Sequence, residues 1–196
     1  RRGGRGAGWF AASSAFAQSS SDIDILNYAL TLEYLEAAFY KEANAKAGLK
    51  DQLKRFGETV GEHEDAHVAA LEKALGSKAV KKPSFDFKGT TSDPDTFATT
   101  AKTLEDTGVS AYQGQATNIK NKDILATALT IHPVEARHAA WVTSILGNGS
   151  GSPSPSPTPL NPALTMDQVL AAVQATGSSR PRPRPRVARR SAVSPR

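Results

Sequence analysis

The chain has 196 residues, with 24 lysines and arginines, 19 aspartates and glutamates, and no cysteine. This length suits one domain with appended segments, and the lack of thiols excludes disulfides, thiolate metal sites and cysteine nucleophiles. The formal charge of +5 comes from ten arginines at the two ends, because residues 18–179 carry 14 basic and 19 acidic side chains, a net of −5. The high isoelectric point therefore describes the ends, and no nucleic-acid partner is predicted for the domain.

Residues 1–17 are predicted to be the remnant of an export signal. Arg1, Arg2 and Arg5 precede a short run of small and apolar residues, and the sequence AFA at 15–17 has the form of a cleavage site. The paired arginines are typical of a twin-arginine signal, and the missing initiator methionine indicates that the segment is truncated. The expected localisation is therefore the periplasm, the cell wall or the medium. No segment reaches the roughly 20 apolar residues that span a bilayer, so no transmembrane segment is predicted.

Four long segments with helical periodicity are predicted within residues 18–146. They cover approximately residues 22–46, 51–75, 94–119 and 123–146. Asp22 or Asp24 can cap the first helix, and Gly76 is a stop signal after the second. Pro133 lies inside the fourth helix and removes one backbone hydrogen bond, so a kink is predicted there.

The lengths of the links between these helices predict the topology. Short links follow the first and third helices, so each of those helices forms an antiparallel hairpin with the next one. The link over residues 76–92 is long enough, at roughly 55 Å when extended, to cross a 25-residue helix of about 37 Å. The predicted fold is an all-α, antiparallel four-helix bundle with one long crossover between helices 2 and 3.

Three further segments are predicted after the bundle. Residues 147–163 form a linker rich in Gly, Ser and Pro. Residues 164–176 form a short helix that begins with a capping box at Thr165 and docks through an apolar stripe containing Val169 and Val173. Residues 177–196, rich in Arg and Pro and without an acid, are expected to be disordered. This tail can attract anionic polymers or lipid of the cell envelope, or it can be a solvated end without a partner.

Two Glu-x-x-His tetrads stand out among the polar residues. Glu64 and His67 form the first, and Glu135 and His138 form the second, in the other half of the chain. Side chains at positions i and i+3 of a helix share a face, so each glutamate and its histidine point the same way. Two such helices, with one glutamate from each of two others, can converge on a pair of metal ions.

The preceding helices supply those two glutamates. Glu33 precedes the first tetrad by almost the same length of chain as Glu105 precedes the second. Tyr40 and Tyr112 each follow their glutamate by about two helical turns, so the two halves repeat at a nearly constant offset. This repetition predicts two helix hairpins, related by internal duplication, that face each other across one site.

The chemistry of the six side chains predicts a di-iron or di-manganese site. Buried carboxylates need a counter-charge, and two divalent ions balance four glutamates. Oxygen and imidazole ligands without sulfur suit iron or manganese. Glu64 and Glu135 are predicted to bridge the ions, whereas Glu33 and Glu105 each bind one. Such a pair of ions suits redox chemistry on oxygen or peroxide better than it suits hydrolysis.

This ligand pattern resembles that of the ferritin-like di-iron carboxylate superfamily. The segments LNYALTLEYLEAAFY at 26–40 and HPVEARHAAWVTSILG at 132–147 resemble its secreted bacterial branch, which is grouped with desiccation-related proteins. The resemblance covers about residues 22–176 and implies a four-helix bundle with two iron or manganese ions. It implies no single activity, because ferroxidases, peroxidases, oxygenases and manganese catalases share the site. Many members have an acid before each bridging glutamate, where this chain has His63 and Val134.

Three residues near the predicted ligands have alternative interpretations. Glu36, one turn after Glu33, is a possible extra ligand, although the repeat places Gly108 opposite it. Tyr40 and Tyr112 are candidate catalytic residues, which can hydrogen-bond a ligand carboxylate, carry a radical or be buried without a catalytic role.

The remaining histidines fall outside the repeated frame. His63 and His132 are therefore expected at the surface of the bundle. Asp65 or Asp106 could replace the missing acid that would bind the second nitrogen of a ligand histidine.

Three functions are compatible with these patterns. The favoured one is an exported di-metal protein acting on oxygen or peroxide, with a role in oxidative or desiccation stress. The second is a structural, stress-associated bundle whose metal only stabilises the fold. The third, an iron-storage subunit, fits poorly with export and two long tails. A homo-oligomer is compatible with all three.

Overall fold

The computed structural model describes residues 22–178, which form five α-helices and no β-strand. The helices are α1 (Asp22–Lys46), α2 (Asp51–Leu75), α3 (Pro94–Ala116), α4 (Lys122–Leu146) and α5 (Met166–Ala175). A 3-10 turn, Gly76–Lys78, follows α2. The predicted all-α class is thus confirmed. The predicted export remnant and nearly all of the predicted disordered tail lie outside the described residues.

The helix ends follow local hydrogen bonding. Asp93 caps α3 by accepting hydrogen bonds from two backbone N–H groups, and Pro94 occupies the first helical position. Helix α3 ends at Ala116, slightly earlier than predicted, and a turn follows it. Asn121 then caps α4. Helix α4 continues through Pro133.

Hydrogen bonds between helix ends show how the helices are arranged. Asp22, at the start of α1, accepts hydrogen bonds from the N–H groups of Lys120 and Asn121 at 2.9 and 2.8 Å. The start of α1 therefore lies beside the end of α3, and these two helices are antiparallel. Helices α1 and α2 pack as one hairpin and α3 and α4 as another, with α2 beside α4 and α1 beside α3.

The crossover runs along α1. The Asn27 side chain donates to the carbonyl of Lys78 at 3.0 Å and accepts from the N–H of Val80 at 2.8 Å. At the other end, the Thr91 hydroxyl donates to Glu42 at 2.7 Å. Asn27 and Glu42 are about 22 Å apart along the helix axis. The predicted bundle with one long crossover between helices 2 and 3 is therefore confirmed.

An aromatic cluster fills one end of the bundle core. Phe39, Tyr40 and Phe56 are fully buried, and Phe39 stacks on Phe97 with ring centroids 5.4 Å apart. Trp141 meets Phe56 edge to face at 5.4 Å, so it packs in this part of the molecule.

None of the described helices is long and apolar enough to cross a membrane.

Helix α5 docks on α3. Val169 and Val173 are buried in the same core as the aromatic cluster, and the Leu164 N–H donates to the carbonyl of Ser110 at 3.1 Å. Gly114 permits this approach, because a Cβ there would lie only 1.9 Å from the Leu164 carbonyl oxygen. The backbone that precedes α5 therefore rests directly on a helical glycine.

Gly114→Ala is expected to release residues 160–176 from the bundle, because backbone cannot yield to such a clash as a flexible side chain can. Faster proteolysis within the 147–163 linker and a melting temperature lower by several degrees should report the release. Gln113→Ala is the matched control, since it removes only one exposed hydrogen bond, to Asn161 at 2.9 Å. Wild-type protease resistance in Gly114→Ala would show that this contact does not hold α5.

Candidate metal centre

Six side chains from the four long helices meet in the middle of the bundle. Helices α1 and α3 each supply one glutamate, and α2 and α4 each supply one glutamate and one histidine. The six are Glu33, Glu64, His67, Glu105, Glu135 and His138. All are buried, and none of the four glutamates is more than 1% exposed. The structure therefore brings together every residue that the sequence predicts as a ligand.

The first half of the site surrounds His67. Its Nδ1 atom lies 3.2 Å from Glu33 Oε2, 3.1 Å from Glu64 Oε2 and 3.1 Å from Glu135 Oε1. One ligand atom from each of these four residues lies within 4.8 Å of the others. Three oxygens and one nitrogen at this spacing are compatible with coordination of one cation.

The second half surrounds His138. Its Nδ1 atom lies 3.2 Å from Glu64 Oε1 and 3.1 Å from Glu105 Oε2. Glu64, Glu105, Glu135 and His138 form a second group whose ligand atoms lie within 4.8 Å of one another. The two groups share Glu64 and Glu135, so these carboxylates lie between the two histidines.

Each of the two repeated tyrosines reaches across the bundle to a glutamate. The Tyr40 hydroxyl, on α1, donates to Glu105 on α3, and the Tyr112 hydroxyl, on α3, donates to Glu33 on α1. Burial, followed by the charge of the bonded glutamate, raises the pKa of each tyrosine. Both therefore keep their protons and hold a carboxylate in place, which is one of the roles that the sequence left open.

Without a cation, crowding of the carboxylates disturbs their ionisation. Burial, and then the nearby charge of Glu33, raises the pKa of Glu135 to about 8. Burial and the charges of Glu135 and Glu33 likewise raise the pKa of Glu64 well above its usual range. Burial alone would lower the pKa of His67, but the close carboxylates of Glu135, Glu33 and Glu64 outweigh it and raise that pKa. A comparable balance holds for Glu33, where hydrogen bonds led by that from His67 overcome burial and lower the pKa.

The carboxylate oxygens at the centre fit a cation. Within residues 22–178, Glu64 Oε1 and both carboxylate oxygens of Glu135 are buried without a hydrogen-bond partner. The histidine Nδ1 atoms are close enough for ion pairing but lack hydrogen-bond geometry toward these oxygens. Unpaired buried oxygens are costly, and coordination removes that cost. The donor set is therefore compatible with a di-metal site.

Glu36 is a further buried acid beside the centre. Burial, followed by the charges of Glu135 and Glu105, raises its pKa well above the usual range, which favours the neutral carboxyl group. A Cβ at Gly108 would lie 2.7 Å from Glu135 Oε2 and 3.6 Å from Glu36 Oε1. Gly108 thus leaves room for two carboxyl groups. Neither four-residue group includes Glu36, so its sequence-based interpretation as an extra ligand stays a prediction.

The expectation that His63 lies at the surface was correct but incomplete. The residue is exposed, as predicted, yet its Nδ1 lies 2.8 Å from Nε2 of His138. Partial burial and the neighbouring His138 ring lower the pKa of His63, which favours its neutral form. The expectation for the two aspartates was wrong, because Asp65 is exposed and Asp106 pairs with Lys102 on the surface. The sequence signal for this contact was the position of His63 directly before Glu64.

His132 was expected at the surface, but it is half-buried. With Tyr112 and several apolar side chains it lines a cavity of about 160 Å³ between α3 and α4. Its Nε2 atom is buried and has no hydrogen-bond partner among the described residues. Burial lowers the pKa of His132, so the neutral ring is favoured.

Comparison with known proteins agrees with this architecture. A family model described as a ferritin-like domain matches residues 21–148, a range that contains α1 to α4 and all six residues of the centre. No curated protein matches the chain. The fold, the buried cluster of carboxylates and histidines, and a family match over most of the chain lead to one conclusion: this protein belongs to the ferritin-like domain family.

Proposed function

We propose that the protein is an exported di-metal carboxylate oxidoreductase that binds two iron or manganese ions and acts on oxygen or hydrogen peroxide. The proposed ligands are Glu33, Glu64, His67, Glu105, Glu135 and His138. One observation carries the proposal: two four-residue groups of buried donors share a pair of glutamates. Shared carboxylates of this kind suit two neighbouring ions better than one.

The geometry supports a division of labour among the ligands. Glu64 and Glu135 would serve both ions, because both belong to both groups. Glu33 and His67 complete one position, and the corresponding pair from α3 and α4 completes the other. When bound, iron or manganese at such positions supplies redox chemistry with oxygen or peroxide. Four carboxylates balance two divalent ions, so the loaded centre is neutral within the apolar core.

Tyr40 and Tyr112 have a supporting role in this proposal. Each hydroxyl donates to a glutamate that binds only one of the ions, Glu105 or Glu33. These hydrogen bonds orient the carboxylates toward the centre. Both tyrosines are also oxidisable side chains one hydrogen bond away from a proposed ligand, so we include electron donation among their proposed functions.

The proposal also includes export from the cytoplasm and a role in stress. The arginines and the AFA sequence within residues 1–17 support export. Resemblance to the secreted, desiccation-related branch supports a role in oxidative or desiccation stress at the cell envelope. The Arg-rich tail would add electrostatic contact with anionic envelope components. Cell fractionation of the full-length protein tests this part separately from the chemistry.

A metal site that only stabilises the bundle is the second candidate. The observation that favours it is the near-complete burial of all six side chains, because metal bound only to the folded state stabilises it without any turnover. An iron-storage subunit ranks below both.

Metal loading followed by activity measurements separates these functions. Metal-free protein is incubated with Fe²⁺ or Mn²⁺, and elemental analysis is expected to give two ions per chain. Peroxide consumption, oxygen release and Fe²⁺ oxidation are then measured against buffer containing the same metal. Two ions with turnover support the oxidoreductase, two ions without turnover select the stabilising site, and no bound metal rejects the proposed function.

A further inference from the structure

The two histidines of the centre are held differently. His138 directs Nδ1 toward the carboxylates, 3.2 and 3.1 Å from Glu64 and Glu105 oxygens, and its opposite atom Nε2 contacts His63 Nδ1 at 2.8 Å. The His63 and His138 rings are nearly parallel, with an angle of 19° between their planes. Both nitrogen atoms of His138 therefore have a polar partner, a carboxylate at Nδ1 and His63 at Nε2.

The other half of the duplicated site cannot form the same contact. His63 precedes Glu64, and the residue that precedes Glu135 is Val134. By the internal repeat, Val134 is the counterpart that would face His67. Its side chain has no atom that accepts a hydrogen bond, so α4 offers His67 no equivalent of the bond that α2 offers His138.

We infer that His63 is a positioning residue that makes the two metal positions unequal, with the tighter position at Glu105 and His138. The inference rests on the proposed function, because it concerns the ions held by the same six residues. It adds a role for a residue that binds no ion itself and lies outside the repeated ligand set.

The hydrogen-bond chemistry gives the physical reason. An Nδ1 atom that faces a cation must present its lone pair, so Nε2 of His138 carries the proton. That N–H donates to Nδ1 of His63, and the His63 proton then sits on Nε2, toward the exposed side of the ring. Such a partner fixes the tautomer and orientation of the ligand and raises its basicity, and losing it costs about 10- to 100-fold in metal affinity.

Titration of the metal-free, full-length protein with Co²⁺, monitored by calorimetry and by visible absorption, tests the inference. The wild-type protein is expected to bind two ions with separable affinities. His63→Ala should weaken the tighter step by about 10- to 100-fold and change its absorption spectrum, while the weaker step stays the same. His63→Asn should restore most of the affinity, because Oδ1 can accept a hydrogen bond near the place of Nδ1. Asp65→Asn, an exposed change close by in the sequence, should match the wild type.

A second background locates the effect. In His138→Ala the ion that remains should bind beside His67, and adding His63→Ala should leave its affinity unchanged. Equal affinities for both ions in the wild type, equal weakening of both steps by His63→Ala, or a further loss in the double variant would overturn the inference. A wild-type protein that binds no Co²⁺, Fe²⁺ or Mn²⁺ would instead count against the proposed function.

Discussion

Glu64→Ala or Glu135→Ala is expected to abolish binding of the ion pair together with all oxygen and peroxide reactivity. Each glutamate belongs to both groups of donors, so removing either one takes a ligand from both positions. Loss of a ligand from only one position, as in Glu33→Ala, should leave one ion bound. Elemental analysis and peroxide consumption of the purified variants measure the difference.

The control for these variants should be a residue outside the centre that makes no other structural contact. Glu42 lies outside the ligand set, but it is only half-exposed. It also accepts a hydrogen bond from Thr91 at the end of the crossover. Asp65 is the better choice, because it is exposed and directly follows Glu64. Asp65→Ala should keep two ions and full activity. Two tightly bound ions and wild-type reactivity in Glu64→Ala would show that this residue does not bridge.

The metal-free protein is expected to lose stability as pH rises from about 5 to 8. The pKa of Glu135 rises from an ordinary 4.5 to about 8 on folding, and the pKa values of Glu64 and Glu36 also rise. For such groups the folded state binds more protons than the unfolded state, so their stabilising effect is complete below the unfolded pKa and is lost as pH rises through the folded pKa. The full shift of Glu135 corresponds to a loss on the order of 5 kcal/mol, most of which falls within this window.

Two of the other shifted groups act in the opposite direction, because the lowered pKa values of His63 and His132 make their contributions rise with pH up to about 6.5. His63 is exposed and His132 is only half-buried, so the fully buried glutamates determine the net sign. The raised pKa of His67 makes its contribution fall with rising pH as well. Glu33, whose pKa is lowered, destabilises only when pH falls below the ordinary range of a glutamate. Bound metal requires deprotonated carboxylates, so metal affinity should rise with pH. The difference in melting temperature between metal-loaded and metal-free protein should therefore widen from pH 5 to pH 8.

Thermal melts at four pH values, with and without Mn²⁺, measure this effect. Glu135→Gln, which keeps the shape of the side chain but cannot ionise, should flatten the pH dependence of the metal-free protein. Glu62→Gln changes an exposed glutamate of α2 and should leave it unaltered. A metal-free protein that grows more stable toward pH 8 would contradict the proposed crowding of carboxylates.

The helices and their hairpins were predictable because their signals are local. Apolar periodicity, a capping Asp93 with Pro94, and Gly76 as a stop signal act within one or two turns of the chain. The last turn of α3 was the exception. Its predicted end near residue 119 moved to Ala116, because polar residues before Asn121 form a turn that periodicity alone does not reveal.

The candidate ligands were also predictable, for a related reason. Glutamate and histidine at positions i and i+3 must share a helix face, and the duplicated frame marks both faces as equivalent. Burial of four glutamates at one level of a bundle then follows from the pairing of the hairpins. Sequence alone thus determined the helical bundle, its connectivity and the set of six donors.

Contacts between helices depended on the tertiary structure. Tyr40 and Tyr112 reach glutamates on opposite helices, and His63 meets a histidine from the other hairpin. Gly114 accepts the Leu164 carbonyl for the same kind of reason. Helical periodicity specifies the direction of a side chain but not the neighbour that occupies that direction, because neighbours are set by the axial stagger and rotation of packed helices. The unequal support of His67 and His138 therefore became visible only when the four helices were assembled.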